Sequence, residues 1–280
     1  MISGKAKLAG VMGWPIAHSL SPALHGHWIE TLSLDAAYVP LAVREEDFHS
    51  VVVALPRMGF GGVNVTLPHK EAALRLADTA DDAARACGAA NTLVFAQGRI
   101  HAMNTDVTGF IASLDEAGVG DLGGKSVTVL GAGGAARAVI HALLLRRVAE
   151  IRLCNRTLPK ARVLADFFGE EVKPLAWEEA PRALASSQVL VNTTKLGMSG
   201  EDQLDIDPAV MPAGGVVVDI VYRPLETGLL AKARARGLTA VDGLGMLLHQ
   251  AVPGFKSWFG IEPRVTPALR AHLVGLLEGE

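Results

Sequence analysis

The feature that most constrains this chain is the run Ser126-Val127-Thr128-Val129-Leu130, followed at once by Gly131-Ala132-Gly133-Gly134-Ala135-Ala136. The β-branched apolar run suits a buried parallel strand. The Ala-, Leu- and Arg-rich stretch from Gly133 through Ala149 suits a helix. Between them, G-x-G-x-x-A is a form of the dinucleotide fingerprint. Gly131 allows a tight turn, Gly133 the close approach of a pyrophosphate, and the small Ala136 close packing of helix on strand. The helix N-terminus then offers unpaired N–H groups and a positive dipole end to phosphates. A plain strand–helix turn is the alternative, and the flanking strand and helix weigh against it.

The rest of the chain has room for such a domain and a second one. Its 280 residues suffice for two α/β domains or one large one, each with a sizeable core. The net charge is −3 and the basic residues are scattered, which gives no reason to expect a nucleic-acid or membrane partner. Cys87 and Cys154 lie far apart and form no C-x-x-C, so a reduced, cytoplasmic setting is expected. No apolar run approaches the ~18 residues of a membrane span. Gly10, Gly13 and Pro15 break a faint N-terminal likeness to a signal peptide.

Ahead of the fingerprint, the pattern predicts strands near 7–12, 36–41 and 61–66, with helices near 22–33, 45–57 and 69–77. A helix near 80–87 follows, then strands near 90–95 and 99–103 that form a hairpin turned at Gly98. A helix over 109–117 leads to the fingerprint strand. Further strands are expected at 150–154, 171–175, 188–192, 215–220 and 238–241, with helices near 158–168, 178–186 and 227–236 between them. Six strands with crossovers make a complete doubly wound sheet. Helices near 244–257 and 265–278 have no strand left to cover, and are expected to return to the first domain. The expected division is therefore 1–105 plus 243–280 for one α/β domain and 106–242 for the other, with the ligand in a cleft between them.

Three groups of polar residues lie at expected strand ends. In Ser19-Leu20-Ser21-Pro22, Ser21 reads as an N-cap and Pro22 as the first helical residue. The two hydroxyls beside a helix N-terminus also make a neutral carboxylate site. In Asn64-Val65-Thr66-Leu67-Pro68-His69-Lys70, the lysine falls in a helix's first turn. There it opposes the dipole, which favours release of its proton and suits general acid/base work; a solvated surface lysine is the alternative. Asn91-Thr92 and Asn104-Thr105-Asp106 form the third group, Asp106 being either a helix cap or the carboxylate that holds Lys70. His25 and His27 diverge on their helix and make no metal pair. No metal site is expected.

The cofactor's identity is readable after the second strand of the fingerprint domain. The strand Ile151-Arg152-Leu153-Cys154 ends in Asn155-Arg156-Thr157, with Lys160 shortly after, and no acid stands where an NAD-binding fold carries one. Arg156 can pair with a 2′-phosphate and Thr157 adds a hydroxyl or caps the next helix, so NADP is expected over NAD. Tyr222 ends a later strand. Met246 and Gln250 share a helix face below Gly243, as a ligand wall or a core stripe.

Taken together, S-L-S-P, N-V-T-L-P-H-K, A-A-N-T-L, N-T-D-V-T-G, G-A-G-G-A, N-R-T and G-L-G-M-L-L-H-Q-A resemble the shikimate dehydrogenase family in order and spacing, from about Gly10 to Gln250. One departure is Gly228, where the family often has proline after the threonine. The resemblance implies an α/β substrate domain beside a Rossmann-type NADP domain. It also implies reversible reduction of 3-dehydroshikimate to shikimate by NADPH, on the route to aromatic amino acids. By the same resemblance Ser19 and Ser21 hold the substrate carboxylate, Lys70 is the acid/base and Asp106 its partner. Thr66, Asn91, Tyr222 and Gln250 are further substrate contacts. Gly131, Ala132, Gly133, Gly134 and Ala135 take the pyrophosphate, and Asn155, Arg156, Thr157 and Lys160 the 2′-phosphate end. Ile220, Gly243 and Met246 take the nicotinamide end, and Asp82 is also linked to the cofactor. A paralogue oxidising quinate and a non-catalytic dinucleotide-binding regulator are the competing readings. A homodimer is kept as the working expectation.

Overall fold

In the computed structural model, which describes residues 2–279, short apolar strands alternate with helices except at one hairpin and in the two last helices. The strands are β1 (Lys7–Gly13), β2 (Ala36–Ala42), β3 (Phe60–Val65), β4 (Thr79–Ala80), β5 (Thr92–Ala96), β6 (Arg99–Met103), β7 (Ser126–Leu130), β8 (Glu150–Asn155), β9 (Val172–Ala176), β10 (Val189–Asn192), β11 (Val216–Asp219) and β12 (Thr239–Val241). The helices are α1 (Ser21–Thr31), α2 (Phe48–Ala54), α3 (Lys70–Leu76), α4 (Asp82–Cys87), α5 (Asp106–Glu116), α6 (Gly134–Leu145), α7 (Leu158–Phe168), α8 (Ala180–Leu184), α9 (Gly228–Ala235), α10 (Gly243–Phe259) and α11 (Pro267–Glu278). Two compact units result: one runs to Gly109 and resumes at Leu247, the other is Phe110–Met246.

The second unit holds a six-stranded sheet in the order β12-β11-β10-β7-β8-β9, every neighbour parallel. This is the doubly wound order, with the reversal beside β7, where such folds place their ligands. The strands V-L-V-N and V-V-V-D are buried from end to end, as a sheet covered on both faces requires.

The first unit holds a mixed sheet in the order β2-β1-β3-β5-β6-β4. β1 runs parallel to β2 and β3, while β5 and β6 form the expected antiparallel hairpin. Because Met12 of β1 faces Val65 of β3 in parallel register, the segments that follow both strands leave the same sheet edge. Those segments carry Ser19 and Ser21 on one side and Thr66 and Lys70 on the other.

Three local readings are corrected. Leu20, not Ser21, occupies the N-cap of α1; Ser21 is the first helical residue, and its N–H donates to Ser19 Oγ at 3.3 Å, so a neighbouring hydroxyl serves where its own side chain would. The stretch expected as one helix over 45–57 breaks into a 3₁₀ turn, α2 and a second 3₁₀ turn, since Pro56 lacks the N–H that would continue α2. β4 was not foreseen, because two residues carry no periodicity.

From Leu247 on, helices α10 and α11 belong to the first unit, and side-chain bonds tie this segment to it. Trp258 Nε1 donates to Leu93 O at 3.1 Å, Lys7 Nζ to Phe259 O at 3.2 Å, and Trp28 Nε1 to Arg264 O at 3.1 Å. The Trp258 indole lies directly on Gly62, where a Cβ would overlap both Trp258 Nε1 and the Leu93 carbonyl. Beside it His25, fully buried, stacks on Tyr38 with ring centroids 3.9 Å apart and meets Trp28, Phe255 and Trp258. Neither His25 nitrogen has a hydrogen-bond partner among the described residues. Burial lowers its pKa to about 3, with nearby Asn64 acting in the opposite sense.

Two outcomes follow for stability. Gly62→Ala forces the Trp258 indole off the sheet and should cost about 3 kcal/mol in urea denaturation, from overpacking and a lost hydrogen bond. His25 is neutral in the native state and takes up a proton on unfolding below its ordinary value of 6.5. Its contribution to stability is therefore intact above pH 6.5 and is lost as the pH falls towards 3. Urea titrations of His25→Phe between roughly pH 6.5 and 4.5 should show a slope shallower than the parent's by about 1.4 kcal/mol per pH unit.

Candidate active site

In the first unit a buried polar cluster forms where β3, β5 and β6 deliver their ends to α3 and α5. Lys70 opens α3 and Asp106 opens α5, and Lys70 Nζ meets Asp106 Oδ2 at 2.5 Å with the two side chains only 12% and 8% exposed. Asn91 fixes the other carboxylate oxygen. Its Nδ2 donates to Asp106 Oδ1 at 2.9 Å, to Thr105 Oγ1 at 2.9 Å and to Gln250 Oε1 at 3.1 Å. Its Oδ1 accepts the Thr105 N–H at 2.7 Å. The main chain supports the same arrangement: Ala90 N–H donates to Lys70 O at 2.9 Å, and Val65 N–H to Asn91 O at 2.7 Å. Gln250 comes from α10 and is oriented by donating to Leu247 O at 3.0 Å.

Behind Asn91 lies a relay that the sequence reading did not assign. Asn64 Nδ2 donates to Thr92 Oγ1 at 3.0 Å and to Asn91 O at 3.3 Å, and Asn64 Oδ1 accepts from Tyr38 OH at 2.6 Å. Burial pushes the Tyr38 phenol well above its ordinary range, while a contact with Ser21 acts in the other direction, so the hydroxyl stays a donor. A polar Asn64 inside the apolar run Gly62-Val63-Asn64-Val65 was the available signal. Near this cluster His69 is structural: its Nε2 bonds Val43 O at 2.8 Å and its ring stacks on Phe48. Thr66 is tied to β1 through its N–H to Met12 O at 2.8 Å, and Ser19 and Thr66 remain partly exposed.

The chemistry available here is proton transfer. An ammonium has three protons, and one of Lys70's is directed at Asp106, leaving two for an oxygen placed before it. The carboxylate keeps the ammonium in place while Asn91 and Gln250 offer neutral donors and acceptors suited to hydroxyl groups.

The second unit gathers the fingerprint residues. Gly131 has φ +98, and a Cβ there would press on Thr193 Oγ1 at 2.8 Å and Thr194 Cγ2 at 2.9 Å, so only glycine suits the turn. Gly133 is the extended N-cap of α6, no side chain caps this helix, and nothing lies within 4 Å of where a Gly133 Cβ would stand. Open space over a row of N–H groups that no side chain caps fits the pyrophosphate of a dinucleotide. Ala136 is fully buried against the sheet. Asn155 joins this turn to the end of β8: its Oδ1 accepts the Ala132 N–H at 3.1 Å and its Nδ2 donates to Thr157 O at 2.8 Å. Arg156, Thr157 and Lys160 are exposed. Thr157 stands at the N-cap of α7, yet its hydroxyl makes no capping bond and stays available.

Ile220 follows β11 with its N–H on Asn192 O at 3.1 Å, and its carbonyl lies against Gly243 at the start of α10. Tyr222 is two residues further on, and Met246 is buried on α10. Asp82 belongs to the first unit, where it opens α4, fully exposed and paired with Arg85 at 2.7 Å. Asp219 was also overlooked. It ends the run Val216-Val217-Val218-Asp219 with no exposed surface, and burial raises its pKa against hydrogen bonds from Thr227, Val221 and Asn192. A charged residue closing an all-valine strand was the signal. No group of three or more His, Cys, Asp or Glu side chains among the described residues could hold a metal ion.

Family models match along most of the chain: "Shikimate dehydrogenase substrate binding domain" over residues 11–93, "Shikimate / quinate 5-dehydrogenase" over 113–220, and "Shikimate 5'-dehydrogenase C-terminal domain" over 243–271. The shikimate dehydrogenase (NADP(+)) of Acidiphilium cryptum is 54% identical over 279 residues, covering all of both chains. That of Paramagnetospirillum magneticum is 53% identical over 275 residues, covering 98% of this chain and all of its own. Among solved structures, the shikimate 5-dehydrogenase of Thermus thermophilus in complex with NADP(H) and shikimate superimposes with a TM-score of 0.83 at 37% identity, covering 98% of this chain and 99% of that one.

Proposed function

Since the chain belongs to the shikimate dehydrogenase family, we infer that it catalyses the reversible, NADPH-dependent reduction of 3-dehydroshikimate to shikimate. The observation that carries the chemistry is the buried Lys70–Asp106 pair at 2.5 Å, braced by Asn91. When bound, NADPH supplies the hydride that reduces the ring ketone. Lys70 Nζ donates a proton to the oxygen that becomes an alkoxide as the carbonyl is reduced, and takes it back in the oxidative direction. Asp106 holds the ammonium at that oxygen and accepts a hydrogen bond from a ring hydroxyl.

The remaining residues bind and orient. Ser19 and Ser21 take the substrate carboxylate with uncharged donors, which hold an anion without trapping it. Thr66, Asn91, Gln250 and Tyr222 take ring hydroxyls. Gly131 to Ala135 bind the pyrophosphate, and Arg156 with Asn155, Thr157 and Lys160 binds the 2′-phosphate. Ile220, Gly243 and Met246 line the nicotinamide end, and Asp82 is kept as an outlying cofactor contact. In this division of labour residues 1–105 and 243–280 form the domain with most of the substrate contacts, and 106–242 the domain with most of the cofactor contacts. A regulator without catalysis would have no use for a buried ammonium–carboxylate pair. The working assembly is a homodimer.

A cytoplasmic setting is supported by two free, buried cysteines, with the Cys154 thiol pushed up to about 12 chiefly by burial. No helix among the described residues is long and apolar enough to cross a membrane.

Steady-state kinetics test both halves. Lys70→Ala should lower kcat by ~10²–10⁴ with KM for shikimate little changed; unaltered turnover excludes the lysine as the proton carrier. Arg156→Ala should raise KM for NADPH about tenfold or more and leave KM for NADH as it was. An equal loss with both cofactors excludes the 2′-phosphate contact.

A further inference from the structure

The mechanism above makes no use of Asp219, although this carboxylate has no exposed surface and three donors. Its Oδ1 accepts Asn192 Nδ2 at 2.9 Å and the Val221 N–H at 3.1 Å, while its Oδ2 accepts Thr227 Oγ1 at 2.7 Å. Val221 and Thr227 are the second and the last residue of the loop between β11 and α9, and Tyr222 sits between them. One side chain therefore closes the loop at both ends. Asn192 adds a third attachment, to β10, and its own main-chain oxygen receives the Ile220 N–H at 3.1 Å. Midway, Arg223 O accepts the Ser199 N–H at 2.8 Å. Thr227 is shared as well, since its Oγ1 also accepts the Leu230 N–H at 3.3 Å and so caps α9.

We propose that Asp219 is a positioning residue for the reaction, fixing the loop from Val221 to Thr227 so that Tyr222 meets the substrate in a single conformation. This rests on the assignment of Tyr222 to the substrate made above. A carboxylate that served only to stabilise the fold would be an expensive choice at the end of an all-valine strand, since its burial disfavours the charged form. Two acceptor oxygens on one short stem do, however, hold both ends of a loop, and no apolar side chain does so. The phosphate-binding turn is independent of this clamp. Thr193 reaches Leu130 O at 2.7 Å directly, and Asn192 keeps a further bond to Leu196 O at 3.3 Å when Asp219 is removed.

The test compares Asp219→Ala, Asp219→Asn, Tyr222→Phe and the Asp219→Ala/Tyr222→Phe pair. KM and kcat for shikimate are measured alongside the dissociation constant of NADPH by fluorescence titration. Asp219→Ala should raise KM for shikimate about tenfold, as Tyr222→Phe does, with NADPH binding held within about twofold. The double variant should be no worse than the poorer single one. Asp219→Asn should restore a KM near the parent's, its Oδ1 keeping two donors and its amide turning to Thr227 Oγ1. A loss of NADPH affinity as large as the rise in KM, or additive effects in the double variant, overturns the proposal in favour of a purely structural role. A raised KM in Tyr222→Phe beside an unaltered Asp219→Ala overturns the clamp alone; a parental KM in Tyr222→Phe removes the substrate contact and the clamp's purpose with it. If Asp219→Ala fails to fold, Thr227→Val severs only the far end of the loop and is read by the same criteria.

Discussion

The site depends on an ammonium and a carboxylate kept together almost out of water. Lys70 and Asp106 are 12% and 8% exposed, and withdrawing such a pair from solvent costs several kcal/mol per ion before their attraction is counted. Two apolar residues of the same size would hold the fold as well. The proposed reaction gives the pair a chemical use, and the surrounding structure is arranged to make it tolerable. Asn91 satisfies the second carboxylate oxygen, Gln250 and Thr105 satisfy Asn91, and Asn64 with Tyr38 steadies the strand from which Asn91 emerges. The order of the first sheet follows from the same need. Only with β3 between β1 and β5 do the ends that carry Lys70, Asn91 and the serine segment converge.

The second unit meets a different constraint with the opposite device. No side chain caps α6 and the space over Gly133 is open, as the proposed pyrophosphate site requires. A capping serine or aspartate would stabilise the isolated helix by about 1 kcal/mol and would occupy the donors that the phosphates need. Asn155, by contrast, spends its carboxamide on joining the turn to the strand beside it, which fixes Ala132 relative to Arg156. Under the proposed function, both units forgo local stability where a ligand would supply the missing interaction.

Much of this was legible in the residue order. The six-strand doubly wound sheet followed from β-branched runs at regular spacing, and Lys70 was singled out because a cation in a first helical turn opposes the dipole. What escaped was long-range. Gln250 and Asn91 are 159 residues apart, and no local pattern reports that their side chains bond. Tyr38, Asn64 and Asp219 each read as single polar interruptions of apolar strands, and only the register of neighbouring strands shows what they touch. Ser21 was misread as a cap because the composition of a cap was present, while the geometry had passed that task to Ser19.

The discontinuity of the first unit has a consequence for biogenesis. Its sheet is encoded before Gly109, but the indole that covers Gly62 and the glutamine that completes the polar cluster come from α10, beyond Leu247. The second unit, an uninterrupted segment, can acquire its full set of contacts while the polypeptide is still attached to the ribosome. The part translated first is therefore the part finished last, and the Lys70–Asp106 pair gains its complete surroundings only after α10 has been made.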